Sequence, residues 1–294
     1  MSLETFYEKH YKKLMFISYA ILLISIMFMG YKYITTGDVI ERDITLKGGV
    51  SATIYNDDLS LQEIKDYLKA NVKDFSVRAL DDPNTGKQTG LIIDVADVTE
   101  PQLRNLLEKK LINVNFNNKD EYNPSITSMQ FGQSFYKGLL IAILCAFVFM
   151  SIVVFISFRT FIPSIAVISA ALTDMLGALV VVDLLGIKLS AAGIVAFLLV
   201  IGYSIDTDIL LTTRLLKRRE EGPLYERLKH SIVTGLTMTS AAIVALSVGY
   251  FIAIPLELKQ IFLIIVIALF FDIIATWGGN AGILIHYCKK KNIT

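Results

Sequence analysis

Carboxylates inside apolar stretches are the residues of this sequence with chemistry to do. Val200-Ile-Gly-Tyr-Ser-Ile-Asp-Thr-Asp-Ile-Leu-Leu-Thr-Thr-Arg214 continues a long apolar run and precedes the basic patch Lys217-Arg218-Arg219. Asp206 and Asp208 therefore sit inside what reads as a membrane span, where a carboxylate costs several kcal/mol or changes its protonation state. Asp174 and Asp272 lie near the middle of two further apolar runs. Acids at such depth pair with one another, relay protons or switch helix contacts. Asp272, Thr276 and Asn280 recur at i, i+4 and i+8, on one helix face. Asp206 and Asp208 stand about 200° apart around a helix, so they cannot face the same groove. The expected cluster joins Asp174, Asp206 and Asp272 as proton-coupling or helix-switch residues. Asp208, nearer the interface, is read as a hydrated charge, and Asp183 as a polar residue at the end of its run.

Elements of several kinds must position these acids. Of 294 residues, 54% are hydrophobic, and the net charge is only +1. Mean hydropathy is +0.56. Soluble domains are about 45–50% apolar, so the excess belongs in lipid, and the near-neutral balance gives no argument for nucleic acid. Two cysteines, Cys145 and Cys288, make no disulfide framework and read as apolar fillers.

Six apolar runs approach or reach the roughly 20 residues that span a bilayer. Leu14 to Met29 is the first, an uncleaved anchor, since Phe28-Met-Gly-Tyr31 lacks a small-x-small cleavage pattern. The others run over 138–158, 163–185, 189–211, 232–254 and 261–287. On these bounds Asp206 lies about 9 Å below the centre of span four at about 1.5 Å per residue. Ala170, Ala171, Gly177, Gly193, Gly202 and Gly235 allow close helix contact, and Gly278-Gly279 loosens span six. The basic stretch 213–230, with Leu224 and Leu228 at i, i+4, reads either as a surface-lying segment or as a solvated charge run.

Residues 34–135 differ in kind, with dense charge and no spanning run. Ile44–Ile54 reads as a strand kinked at Gly48-Gly49. Leu61–Ala70 has helical apolar spacing, with Asp57, Asp58 or Ser60 as cap. Phe75–Leu80 and Gly90–Ala96 read as strands around the turn Asp82-Pro-Asn-Thr-Gly86. Thr99 and Pro101 open a helix with a Leu103, Leu106, Leu107, Leu111 stripe. Ser125–Phe131 reads as a last strand. The order is β-α-β-β-α-β, a ferredoxin-like split β-α-β. The fold class is therefore a polytopic α-helical membrane protein with six transmembrane helices and one α+β domain between the first two.

Basic residues set the orientation. Lys9, Lys12 and Lys13, then Arg159, then Arg214 to Lys229, then Lys289-Lys-Lys291 all fall on one side of six spans. Both termini are expected in the cytoplasm and the α+β domain outside, in a multi-pass plasma-membrane protein. HExxH, GxSxG, P-loop and GxGD patterns are missing, and His10, His230 and His286 form no ligand set. No enzyme, metal or cofactor is expected, and any energy input comes from an ion gradient or a partner.

Asp43-Ile-Thr-Leu-Lys-Gly48-Gly49 and Gly202-Tyr203-Ser204-Ile-Asp206…Arg214, within six spans and a large first external domain, resemble SecF of the SecD/SecF protein-export family, a relative of the resistance-nodulation-division transporters. The specific part is Gly-Tyr-Ser-Ile with an arginine eleven residues after Tyr203. Ungapped to Arg214, the asparagine of bacterial members falls on Asp206 and their aspartate on Thr207. The aspartate of SecD falls on Asp206, and Asp174 in Leu172-Thr-Asp-Met175 matches a third-span His-Asp. The span-five arginine of bacterial members is not found in Ser231–Ser240, a departure that looks archaeal.

The resemblance implies an accessory subunit of Sec export, driven by the proton motive force. Its implied partners are SecD, a SecY-type translocon and the translocating polypeptide, with lipid around it. Two other classes fit the residues: a small-molecule or lipid exporter of the resistance-nodulation-division kind, and a purely structural assembly subunit whose aspartates are interhelical glue.

Overall fold

The computed structural model describes residues 3–82 and 85–293. The chain opens with the long helix α1 (Leu3–Thr36). A one-turn helix, α2 (Ile44–Lys47), is followed by β1 (Gly49–Ile54), α3 (Leu61–Asn71), β2 (Phe75–Asp81), β3 (Gln88–Ala96), α4 (Glu100–Lys110) and β4 (Tyr122–Thr127). Then come α5 (Met129–Phe158), α6 (Phe161–Leu184), α7 (Ala191–Leu216), α8 (Leu224–Ile252) and α9 (Leu256–Ile274). A π-helical segment, Ala275–Asn280, joins α9 to α10 (Ala281–Lys290). Two compact units result, one of Arg42–Leu140 and one of the remainder.

In the Arg42–Leu140 unit the four strands form an antiparallel sheet in the order β2-β3-β1-β4. With two intervening helices this is the ferredoxin-like split β-α-β. Strand side chains alternate between faces. Val50, Ala52 and Ile54 of β1 and Leu91, Ile93 and Val95 of β3 turn to one face. There they are buried with Ile64 and Leu68 of α3 and Leu103 and Leu107 of α4. On the other face Ser51 donates to Asp94 Oδ1 at 2.6 Å, and Arg78 pairs with the same carboxylate. Ser60 caps α3, its Oγ accepting the Glu63 N–H at 3.4 Å. Gln102 Oε1 accepts the Thr99 N–H at 3.0 Å at the start of α4, half of a capping box.

Two parts of this unit differ from the sequence expectation. Ile44–Lys47 is helical rather than strand, because Asp43 caps it: its side chain accepts the Thr45 N–H at 2.8 Å. That local bond outweighs the β preference of Ile44 and Thr45. Gly48, at φ +89°, ends the turn, and Gly49, at φ +151°, starts the strand where a Cβ would strike the Val95 carbonyl. The last strand runs over Tyr122–Thr127, and Phe131 is already in α5, whose first turn is held by Ser128 Oγ accepting the Phe131 N–H at 3.2 Å. In the turn Asp82–Gly86, Pro83 and Asn84 lie outside the described residues.

Six helices in the described residues are long and apolar enough to cross a membrane: α1, α5, α6, α7, α8 and the continuous α9–π–α10. α9 packs against α6, α7 and α8, while α1 lies on α6 and on the π segment. α6, α7 and α9 form the buried centre, and α1, α5 and α8 present most of their side chains outward. In lipid, close packing and interhelical polar contacts hold such a bundle. Gly177 of α6 admits the Phe271 ring, which a Cβ there would meet at 2.6 Å. Gly202, by contrast, faces open space and makes no tight contact.

Within 213–230 the charges Lys217 to Glu220 are exposed, as a solvated run, while the two ends belong to helices of the bundle. α7 continues to Leu216, and α8 already begins at Leu224. Leu224 and Leu228 are buried against Leu211, Leu215, Leu284 and Ile285, so their i, i+4 stripe faces the bundle. Between them Arg227 is fully buried and donates to Leu215 O at 2.6 Å, closing the last turn of α7.

Candidate functional site: a buried carboxylate cluster

The phase of α7 decides which of its acids meets the bundle. Val200, Ser204, Thr207, Asp208, Leu211 and Leu215 are buried, spaced as one helical stripe. Gly202, Tyr203 and Asp206 are exposed on the other side. The expected pairing is thus corrected. Asp208, read as a hydrated interfacial charge, is fully buried beside Asp272, and Asp206 points out of the bundle. The angular separation between the two acids is the cause. Anchoring Asp206 inward would have turned the leucines at 211 and 215 outward.

Asp174 of α6, Asp208 of α7 and Asp272 of α9 are all buried. Hydroxyls thread them together. Ser204 donates to Asp174 Oδ2. Thr207 Oγ1 lies 2.9 Å from Ser204 O and 3.0 and 3.2 Å from the two oxygens of Asp272. Thr276 Oγ1 lies 2.9 Å from Asp272 Oδ1 and 2.9 Å from Asp208 Oδ1. Asn280 Nδ2 donates to Asp208 Oδ1 at 2.7 Å. Among the described residues, no lysine or arginine pairs with any of the three acids.

Counting hydrogens shows what the thread can do. A threonine hydroxyl donates once and can also accept. Thr207 and Thr276 each face two acceptors with one hydrogen, and both touch Asp272. A proton on Asp272 supplies the missing donor to either threonine; when it leaves, a hydroxyl turns to donate in its place. Asp174 Oδ1 and Asp208 Oδ2 are buried without a partner, so further protons have seats, and Asn280 Oδ1 is a buried acceptor beside them. The acids are strung along hydroxyls rather than converging on one point. Among the described residues, no group of His, Cys, Asp and Glu is placed to hold a metal ion.

The other residues singled out by sequence are dispersed. Tyr203 is 44% exposed on the outer face of α7. Arg214 reaches Thr234 Oγ1 at 3.2 Å and Glu221 at 3.9 Å, tying α7 to α8 and its lead-in. Asp43, Gly48 and Gly49 shape the entry to β1. Burial pushes the Asp43 carboxyl above its usual range, and hydrogen bonds from Thr45 pull it back. Asp183 pairs with Lys32 of α1. Arg227, read from the sequence only as one of the basic residues that set the orientation, is buried; an arginine flanked by Leu224, Leu228 and Ser231 at helical spacing marks such an inward-facing charge.

The family profile described as protein export membrane protein SecD/SecF, C-terminal, matches residues 107–290. A protein-export membrane protein SecF from Methanolacinia petrolearia is 33% identical over 95% of this chain and 94% of its own length. One from Methanocaldococcus jannaschii is 35% identical over 96% of this chain and 97% of its own. Among solved structures, SecDF from Thermus thermophilus, titled a translocon-associated membrane protein, superposes with a TM-score of 0.69 at 17% identity over 96% of this chain. This chain spans 38% of that longer one.

Proposed function

The chain belongs to the SecD/SecF family of protein-export membrane proteins and is an accessory subunit of Sec protein export; we propose that it couples this work to proton movement through Asp174, Asp208 and Asp272. The thread of Ser204, Thr207 and Thr276 between these acids supports the coupling, since its hydrogen bonds must be redrawn whenever a carboxyl gains or loses a proton. The acids sit on three helices, so redrawing the bonds changes how α6, α7 and α9 hold one another. Two-state repacking of that kind is what moves a helical bundle.

The working partner is a SecD-type subunit. The Thermus SecDF chain, of which this chain spans 38%, supports that pairing. α7 offers the face for it. Gly202, Tyr203 and Asp206 lie outward near the middle of a 26-residue helix, and an acid at that depth calls for a polar partner rather than lipid. The SecY-type translocon and the moving polypeptide complete the assembly. Both termini face the cytoplasm, on the side that carries Lys12, Arg159, Lys217 and Lys289, and the α+β unit faces out.

Export of a precursor into inverted vesicles that contain the chain and its SecD-type partner tests the coupling. Stimulation that a protonophore abolishes is expected; stimulation indifferent to the protonophore contradicts it. The same hydrogen bonds tie α6 to α7 and α7 to the last span. They favour a second reading, in which the acids only glue helices together.

A further inference from the structure

The last span changes its backbone register next to the acids. In an α-helix the Ala281 N–H would bond the carbonyl four residues back, Trp277 O. Instead it bonds Thr276 O and Gly278 O. The bypassed carbonyl is met from another helix: the Tyr7 hydroxyl of α1 donates to Trp277 O at 2.8 Å, and both residues are buried.

The register matters for Asp208. Thr276 lies inside the π segment and Asn280 at its end, and both donate to Asp208 Oδ1, at 2.9 and 2.7 Å. A π turn carries about one residue more than an α turn, so the residues after it are rotated by about 100°. Returned to α register, the segment would no longer aim both side chains at one oxygen. Gly278 and Gly279 lie in this turn, and α1 packs closely on it: a Cβ at Gly279 would stand 2.6 Å from Ser18 Oγ.

We propose that Tyr7 is a positioning residue for the carboxylate cluster. Its hydroxyl holds Ala275–Asn280 in the π register that delivers Thr276 and Asn280 to Asp208. The role in transport rests on the proton-coupling reading above; the positioning itself does not. α1 is thereby more than an anchor, because a shift of α1 away from the last span frees the Trp277 carbonyl and releases the donors of Asp208.

Site-resolved labelling tests this. Membranes that contain the full chain are treated with an apolar carbodiimide, which reacts with carboxyls inside the bilayer, and the rate at each aspartate is read by mass spectrometry. Tyr7→Phe is expected to label Asp208 about fivefold faster, the factor one hydrogen bond is worth, with Asp174 unchanged. Tyr19→Phe removes a different α1 contact, to Ser169 Oγ at 2.7 Å, and is expected to leave Asp208 at the wild-type rate. Added to the double variant Thr276→Val, Asn280→Ala, Tyr7→Phe is expected to bring no further acceleration, because both donors that it holds are already gone. The proposal is overturned if Tyr7→Phe leaves Asp208 labelling unchanged while Asn280→Ala accelerates it. It is also overturned if Tyr19→Phe accelerates it equally, which is general loosening of α1. Either result leaves proton-dependent export untouched, so the two readings fail separately.

Discussion

The Thr276 hydroxyl stands 2.9 Å from Asp208 Oδ1 and, on its other side, 2.9 Å from Asp272 Oδ1. One hydrogen therefore serves two acids on two helices. Thr276→Val keeps the shape and removes the shared donor. Leaving buried carboxyl oxygens short of a partner costs about 1–3 kcal/mol. The variant should unfold at a lower temperature in detergent, and its gradient-stimulated export should drop. Thr276→Ser keeps the hydroxyl and should retain most of both.

Lys32 and Asp183 form a largely enclosed ion pair between α1 and α6, with side chains 13% and 7% exposed. Removing one partner strands the other charge, which costs about 3–5 kcal/mol in buried settings. Lys32→Met and Asp183→Asn should each lower thermal stability more than the double variant does. A double-mutant cycle in detergent reads the difference.

Asp43 caps α2 through the Thr45 N–H. Burial raises its carboxyl above the usual range, with the Thr45 bonds opposing. A carboxyl raised in the folded state favours folding most below its unfolded pKa, and that contribution is lost as pH rises through the folded value. Asp43→Asn keeps a good cap and cannot ionise. Its unfolding temperature should match or exceed wild type at neutral pH and vary less between acid and neutral pH. Asp43→Ala should lose about 1 kcal/mol with the cap.

The ferredoxin-like unit was legible because its elements are locally consistent. Leu61–Asn71 has helical spacing behind a serine cap, and β1 and β3 alternate in and out. The misread pieces are those where a short polar residue outbids a strand-favouring one, Asp43 before Ile44 and Ser128 before Phe131. In the bundle, Asp174 and Asp272 stood out, since few forces put an acid at mid-span. Which of Asp206 and Asp208 turns inward was not readable from those two residues alone. It is set by Leu211, Leu215, Ser204 and Thr207 together, a stripe visible only once α7 is allowed to run on to Leu216. Tyr7 was invisible for another reason. It acts on a backbone carbonyl, and the π register that frees that carbonyl has no side-chain signature beyond Gly278-Gly279.

The most direct measurement compares two substitutions two residues apart. Export into inverted vesicles is followed with and without a protonophore for wild type, Asp208→Asn and Asp206→Asn, each assembled with its SecD-type partner. Asp208 belongs to the hydroxyl-threaded cluster and Asp206 does not. Asp208→Asn should reduce export to the protonophore-treated level, with the chain still assembled. Asp206→Asn should keep its gradient-dependent component. Wild-type gradient dependence in Asp208→Asn would contradict proton coupling through the cluster and leave its acids as interhelical glue.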